Sequence, residues 1–328
     1  MCTAISYTGK DHYFGRNLDL EYSFQEQVTI TPRNYSIHFR NGTTLDSHYA
    51  MIGMATVDQD YPLYYEATNE TGLSIAGLNF PGNAVYYARS STKVNIAPFE
   101  LILWLLGKCK TVKDVLLEME SVNIWSEPYS NQFPLSPLHW LVADRTDCIV
   151  IESLSDGLHI HQNPVGVLTN NPPFDFHMHH LSQYMSLSSN TPENHFSKSL
   201  PLNPFSLGMG SYGLPGDPSS PSRFVKAAFV MHNSVHDKTE SASVHQFFHI
   251  LSSVAQQKGI TYVHDDKYEY TRYSSCCNTT TGTYYYTTYE NQSITAVKMH
   301  NENLDSSGLI YYPLRTAWNV IYENEILH

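Results

Sequence analysis

Two pairs of helical segments, each set between β-rich runs, set the first limit on what this chain folds into. Residues 97–110 have helical length and apolar content, with Pro98 where a first turn tolerates it. Residues 111–122 follow at once, opened by the capping residue Thr111 and carrying Asp114 in the first turns. A second pair is predicted at 222–232 and 241–257. Around the pairs lie short runs rich in β-branched and aromatic residues. Residues 3–7 and 12–18, joined by Thr8-Gly9-Lys10-Asp11, read as strands flanking a turn. Further strands are predicted at 28–31, 35–39, 50–55, 64–67, 73–78, 138–143, 148–152 and 158–161. The chain closes on a hairpin, 284–289 and 293–299, turning around Glu290-Asn291-Gln292. Strands, helix pair, strands, helix pair, strands predicts two sheets covered by helices, an α+β layered architecture. No repeat, low-complexity tract or long linker divides the sequence, so one domain over 1–328 is expected.

Composition removes several classes of function. No apolar run approaches the ~20 residues of a membrane span, and 101–107, the most apolar stretch, is far too short. The first ten residues lack a basic region followed by an apolar core, which predicts a cytoplasmic protein without membrane insertion. A formal net charge of −12 argues against nucleic acid as a partner. It also means that an anionic small molecule would need a local cationic site. The five cysteines are odd in number and two are vicinal, Cys276 and Cys277, so reduced thiols are expected.

Cys2 carries the sharpest chemical signal. A small residue after the initiator methionine permits removal of Met1, which leaves a free α-amine and a thiol on one residue. The amine titrates near ~7.7–8.0 and the thiol near ~8.5, so a nucleophile and its base both lie close to neutral pH. A hairpin would fold Tyr13-Phe14-Gly15-Arg16-Asn17-Leu18-Asp19 back beside Cys2. There Arg16 favours thiolate and Asp19 orients the amine, or the two form an ordinary salt bridge. Ala76-Gly77-Leu78-Asn79-Phe80-Pro81-Gly82 ends a strand in a turn whose backbone N–H groups suit an oxyanion site or a turn alone. Asn170, at another strand end, suits an oxyanion donor or a loop cap. A Gly- and Pro-rich loop, 208–221, runs into Ser222-Arg223-Phe224 and delivers Arg223 at a helix start. It lacks Gly-Lys-Ser/Thr, which counts against a nucleotide site. His177, His179 and His180, and the pair His245 and His249, complete no zinc pattern, so no metal is expected.

Taken together, and in this order, these segments resemble the choloylglycine hydrolase/penicillin V acylase family of N-terminal nucleophile hydrolases. The likeness runs from Cys2 to the Tyr-rich hairpin near Met299. It implies a four-layer αββα sandwich. It implies that Cys2 attacks an amide carbon and forms a thioester, with Arg16, Asp19, Asn79, Asn170 and Arg223 completing the catalytic set. Asn79 then supplies a backbone N–H to the oxyanion. No metal or cofactor is required. The implied substrates are glycine- and taurine-conjugated bile salts, and the implied assembly is a homotetramer.

Asn at position 79 favours bile salts over penicillin V, because penicillin V acylases tend to carry Tyr at the matching position. Leu20, Phe24, Tyr65, Phe80, Phe133 and Leu135 are expected to line a steroid slot, or to be ordinary core residues. If Met1 is retained, the alternative is a catalytically silent protein with a steroid-sized pocket.

Overall fold

The computed structural model describes residues 1–235 and 238–324. Two antiparallel sheets lie face to face. In the seven-stranded sheet His12–Leu20 is central, bonded on one side to Cys2–Thr8 and on the other to Tyr268–Asn278. Val167–Leu168 pairs outside Cys2–Thr8, while Thr283–Thr288 and then Thr295–Lys298 extend the opposite edge. The eight-stranded sheet runs Gly157–Gln162, Cys148–Leu154, Leu138–Ala143, Ser74–Asn79, Tyr61–Asn69, Met51–Asp58, Gln27–Thr31, Ile310–Pro313.

Five α-helices are seen among the described residues: α1 Leu101–Lys108, α2 Val112–Ser121, α3 Phe174–Leu181, α4 Ser220–His232 and α5 Glu240–Ser252. The side-chain alternation of the eight-stranded sheet explains its strongly apolar strands. Trp140, Val142, Ile149 and Ile151 face outward into a core shared with α1 and α2. Leu141, Ala143 and Val150 face inward against the seven-stranded sheet. A strand buried on both faces has no polar side, so period-two patterning vanishes. The outer face of the seven-stranded sheet is covered by α4 and α5 through Phe224, Ala227, Val244, Phe247 and Leu251. Helix pair, sheet, sheet, helix pair is the expected αββα sandwich.

Local signals account for much of the detail. Thr111 caps α2, accepting from Asp114 N–H at 3.2 Å, while the Asp114 carboxylate accepts from Thr111 N–H at 3.0 Å. The helix predicted from residue 97 instead begins at Leu101, after a 3₁₀ turn over Pro98–Glu100. Helix α5 stops at Ser252 rather than 257, and the strand predicted at 35–39 shrinks to Ile37–His38.

Two elements are invisible to periodicity. Helix α3 is short and histidine-rich. The 11-residue strand Tyr268–Asn278 alternates Tyr with Glu, Arg, Ser and Cys, a weak strand signature, yet it holds the sheet's centre together. Among the described residues no helix is long and apolar enough to cross a membrane.

Gly15 is where the central pairing is tightest. A Cβ added there would lie 2.0 Å from the Ser275 carbonyl oxygen on the long strand. A close backbone approach of this kind admits only glycine. Gly15→Ala is expected to lower unfolding free energy by roughly 3 kcal/mol or more, read by urea denaturation, because backbone must move.

Candidate active site

The strand register brings the first residues together. Cys2 lies opposite Leu18 and Ala4 opposite Arg16. Alternation then divides His12–Leu20 between the layers. Asn17 donates to the Leu251 carbonyl of α5 at 2.9 Å, so the odd-numbered side chains there, Asp19 included, face the helices. Arg16 faces the second sheet, where its Nη1 donates to the carbonyls of Tyr65 at 3.1 Å and Gly77 at 2.5 Å. It shares that face with Cys2, its diagonal neighbour in the ladder, and the two interact electrostatically.

Asn170 is the hub. The pairing of Ala4 with Leu168 delivers it beside Cys2, two residues past the edge strand. Its Oδ1 accepts from the Cys2 backbone N–H and from Arg223 Nη2, both at 2.7 Å. Its Nδ2 donates to the Asn79 carbonyl at 2.6 Å. Arg223 comes from the first turn of α4, where Ser219 is the N-cap and Pro221 lies at the helix start. It donates to Thr3 Oγ1 at 2.6 Å, to the Pro218 carbonyl at 2.9 Å and to the Cys2 carbonyl. The structure therefore brings Cys2, Arg16, Asp19, Asn79, Asn170 and Arg223 into one cluster, buried except for the half-buried Asn79.

Charge is concentrated there. Burial pushes the Asp19 carboxyl up, against Arg223, the chain's N-terminal ammonium and a 2.7 Å hydrogen bond from Thr271 Oγ1. Asp19 Oδ2 is buried with no hydrogen-bond partner among the described residues. Burial lowers Arg223, opposed by Asp19 and Cys2. Burial also works against Arg16, but Cys2, Tyr273 and Glu66 outweigh it and hold Arg16 above its ordinary value. The Met1 ammonium pairs with Glu269 and donates to the Asp19 carbonyl at 3.0 Å. With Met1 in place, Cys2 nitrogen is an amide.

An apolar cavity of about 340 Å³ opens beside this cluster. Phe24, Tyr65, Phe133 and Leu135 line it, joined by Tyr22 and Tyr129, which the sequence alone does not single out. Tyr65 and Gly77, whose carbonyls hold Arg16, also line it and so connect it to the polar cluster. Leu20 and Phe80 do not line this cavity. Leu20 packs against the core between the sheets. Phe80 is fully buried, its ring stacked on His139 at 4.1 Å.

Supporting groups escape sequence reasoning as well. Thr3, Thr271 and Ser220 are ordinary hydroxyls in sequence, and Ser220 Oγ accepts the Asn170 N–H at 2.8 Å. His177 Nε2 donates to the Asn170 carbonyl at 2.9 Å, whereas His245 and His249 stand exposed on α5. Among the described residues, no group of three or more His, Cys, Asp or Glu is placed to hold a metal ion. Glu66 has a signal: an acid inside the run Leu63-Tyr64-Tyr65-Glu66-Ala67.

Residues 2–312 match the family of linear amide C–N hydrolases, choloylglycine hydrolase family. The chain is 56% identical over 316 residues to the bile salt hydrolase/transferase of Lactiplantibacillus plantarum, covering 96% of this chain and 98% of that protein. It is 37% identical to the bile salt hydrolase/transferase of Clostridium perfringens, covering 99% and 100%. Among solved structures, the mutant C2A conjugated bile acid hydrolase from Clostridium perfringens superposes with a TM-score of 0.92 at 36% identity, covering 99% of this chain and all of that one. The penicillin V acylase from Agrobacterium tumefaciens shares the fold, with a TM-score of 0.76 at 17% identity over 95% of this chain and 91% of that one.

The His177 contact makes stability pH-dependent. Burial pushes this imidazole from 6.5 down to about 4. Above ~6.5 it is neutral in folded and unfolded chains alike, and its contribution is fully present. As pH falls toward 4 only the unfolded chain takes up the proton, so stability is lost. The loss by about pH 4.5 is expected to be roughly 2–3 kcal/mol, absent in His177→Gln, read by urea denaturation at the two ends of that range.

Proposed function

Because this chain belongs to the choloylglycine hydrolase family of linear amide C–N hydrolases, we propose that it hydrolyses the amide bond of glycine- and taurine-conjugated bile salts. The observation that carries the reading is the acceptor already seated on the Cys2 nitrogen, in a cluster that also holds an unsatisfied carboxylate oxygen. Asn170 Oδ1 already holds that nitrogen at 2.7 Å, and Asp19 Oδ2 is buried without a donor. Loss of Met1 converts the nitrogen to an amine, for which Asn170 Oδ1 is the acceptor already in place.

In the proposed reaction the Cys2 thiol adds to the amide carbon and its proton passes to the Cys2 α-amine. Arg16 favours the thiolate, and Asp19 orients the amine. The oxyanion is held by the Asn79 backbone N–H and by an Asn170 Nδ2 proton; an amide nitrogen has two, and one already goes to the Asn79 carbonyl. The C–N bond breaks as the α-ammonium returns its proton to the leaving amine. Water then hydrolyses the thioester. Arg223 fixes the Asn170 side chain and the Cys2 carbonyl. No metal or cofactor enters this scheme.

The cavity lined by Phe24, Tyr65, Phe133 and Leu135 takes the steroid body; about 340 Å³ lies within the range of small-molecule sites. Both sheets and α4 contribute to the site, which fits one catalytic unit over 1–328. The five free cysteines suit a reducing cytoplasm. A homotetramer is supported by apolar side chains exposed between residues 185 and 212, among them Met185, Phe205, Leu207 and Tyr212.

The enzyme is expected to lack Met1 on intact-mass measurement and to turn over glycocholate and taurocholate faster than penicillin V. Cys2→Ala should fold with no hydrolysis, and Asn170→Ala should lose ~10²–10³ in kcat, as for other oxyanion donors. A penicillin preference, or activity in Cys2→Ala, overturns the reading. Sedimentation of the purified protein is expected to give the tetramer.

A further inference from the structure

Glu66 belongs to no step above, yet it is a fully buried carboxylate facing Arg16. It lies in Tyr61–Asn69 and reaches across the sandwich to the other sheet. Tyr273 Oη donates to its Oε2 at 2.7 Å; Ser275 Oγ and Tyr284 Oη donate to Oε1 at 2.9 and 2.5 Å. The Ser275 oxygen also accepts the Arg16 backbone N–H at 3.2 Å, which ties this hydroxyl to the strand of Arg16. Three hydroxyl donors converging on two oxygens suit an ionised carboxylate, since a neutral acid would have to donate one of those bonds itself.

The spacing to Arg16 is informative. Arg16 Nε lies 3.9 Å from Oε2, an attraction without a hydrogen bond. A bidentate pair would occupy the guanidinium fork. Here Nη1 is held instead by two backbone carbonyls, so no carboxylate occupies the fork, and the guanidinium charge acts on Cys2.

We propose that Glu66 is a positioning residue that anchors Arg16 through a hydroxyl frame spanning both sheets and partly offsets its field at the Cys2 sulfur, so setting the pH at which Cys2 becomes thiolate. The inference rests on Cys2 being the nucleophile. The charged and titratable groups facing Glu66 are Arg16, Tyr65, Tyr273, Tyr284 and Cys277. Those beside Cys2 are Arg16 and Arg223, and Asp19 stands in turn against Arg223 and the chain's N-terminal ammonium. Burial pushes the Glu66 carboxyl up while Arg16 and the three hydroxyls pull it down; ionised, it is the member of this frame whose charge opposes that of Arg16.

The test is the rate of Cys2 alkylation by iodoacetamide against pH, mapped by peptide mass, on protein shown to lack Met1. Glu66→Gln removes the charge and keeps the shape. Its midpoint is expected roughly one pH unit below wild type, an alkylation rate about tenfold higher on the acid side. Glu66→Asp keeps the charge and is expected near the wild-type midpoint, with slower hydrolysis. A folded Gln variant with the wild-type midpoint, or Asp and Gln variants that shift alike, overturns the proposal. Should the Gln variant not fold, Tyr284→Phe removes one donor and is expected to lower the midpoint by less; an unmoved midpoint there overturns it. A wild-type Cys2 that resists alkylation at every pH instead refutes the nucleophile reading, and this inference with it.

Discussion

At the site around Cys2, four ionisable side chains are kept out of water, and the site depends on how they are balanced. Arg16, Arg223, Asp19 and Glu66 are all buried. An unpaired buried ion costs several kcal/mol even after relaxation, and a direct ion pair recovers that only with good geometry and further hydrogen bonds. Here the further bonds are neutral. Arg16 is held by two carbonyls, Arg223 by carbonyls, a hydroxyl and an amide oxygen, Asp19 by Thr271, and Glu66 by three hydroxyls. Burial pushes both carboxyls up; with both ionised, two cations and two anions sum to zero. A thiolate and an ammonium on Cys2 would leave that sum unchanged, so the zwitterion the proposed chemistry needs adds no net charge to a dry space.

The same balance explains why the partners come from distant parts of the chain. Cys2, Arg16 and Asp19 share a hairpin, but their neutralising partners arrive from α4, from Tyr61–Asn69 and from the strand Tyr268–Asn278. The bulge between Thr271 and Tyr273 lies where that strand meets Asp19 and Leu18. Thr271 pairs with Asp19 just before the ladder shifts, which sets its hydroxyl on the carboxylate. Loss of register in the central pair would therefore unseat both sides of the cluster at once.

Legibility follows the kind of signal each residue gives. The layers are readable because helix pairs and strand runs have different periods, and that contrast marks out both pairs in the sequence. The six polar residues of the cluster are readable because each stands in a locally unusual setting: a terminus, a hairpin, two strand ends or a Gly/Pro loop. The cavity is half legible, since an aromatic on a loop looks like one in a core until packing is known; Phe80 lies in the core and Tyr22 and Tyr129 at the cavity. Thr3, Thr271, Ser220 and His177 are illegible, because their roles arise only from contacts with residues remote in sequence. The strand 268–278 is hidden by composition: its serines, cysteines and charged residues are tolerated because it is flanked by partners on both edges.

Met1 shows how the fold and the proposed chemistry are separable. With Met1 present, the Cys2 nitrogen donates one N–H to Asn170 Oδ1, and the terminal ammonium lies one residue further out against Glu269. The ladder continues past Cys2, with Asp19 N–H donating to the Met1 carbonyl at 3.0 Å. Asn170 therefore meets the same donor atom whether that nitrogen is an amide or an amine, and Arg223 grips the same oxygen in both cases. At the nitrogen itself what changes is basicity: an amide cannot accept the thiol proton, and an α-amine can. A framework that satisfies its hydrogen bonds around the Cys2 nitrogen in advance needs no rearrangement on processing. On this reading, the single event that converts a folded protein into a catalyst is cleavage of one peptide bond, at the outer end of the strand that holds Cys2.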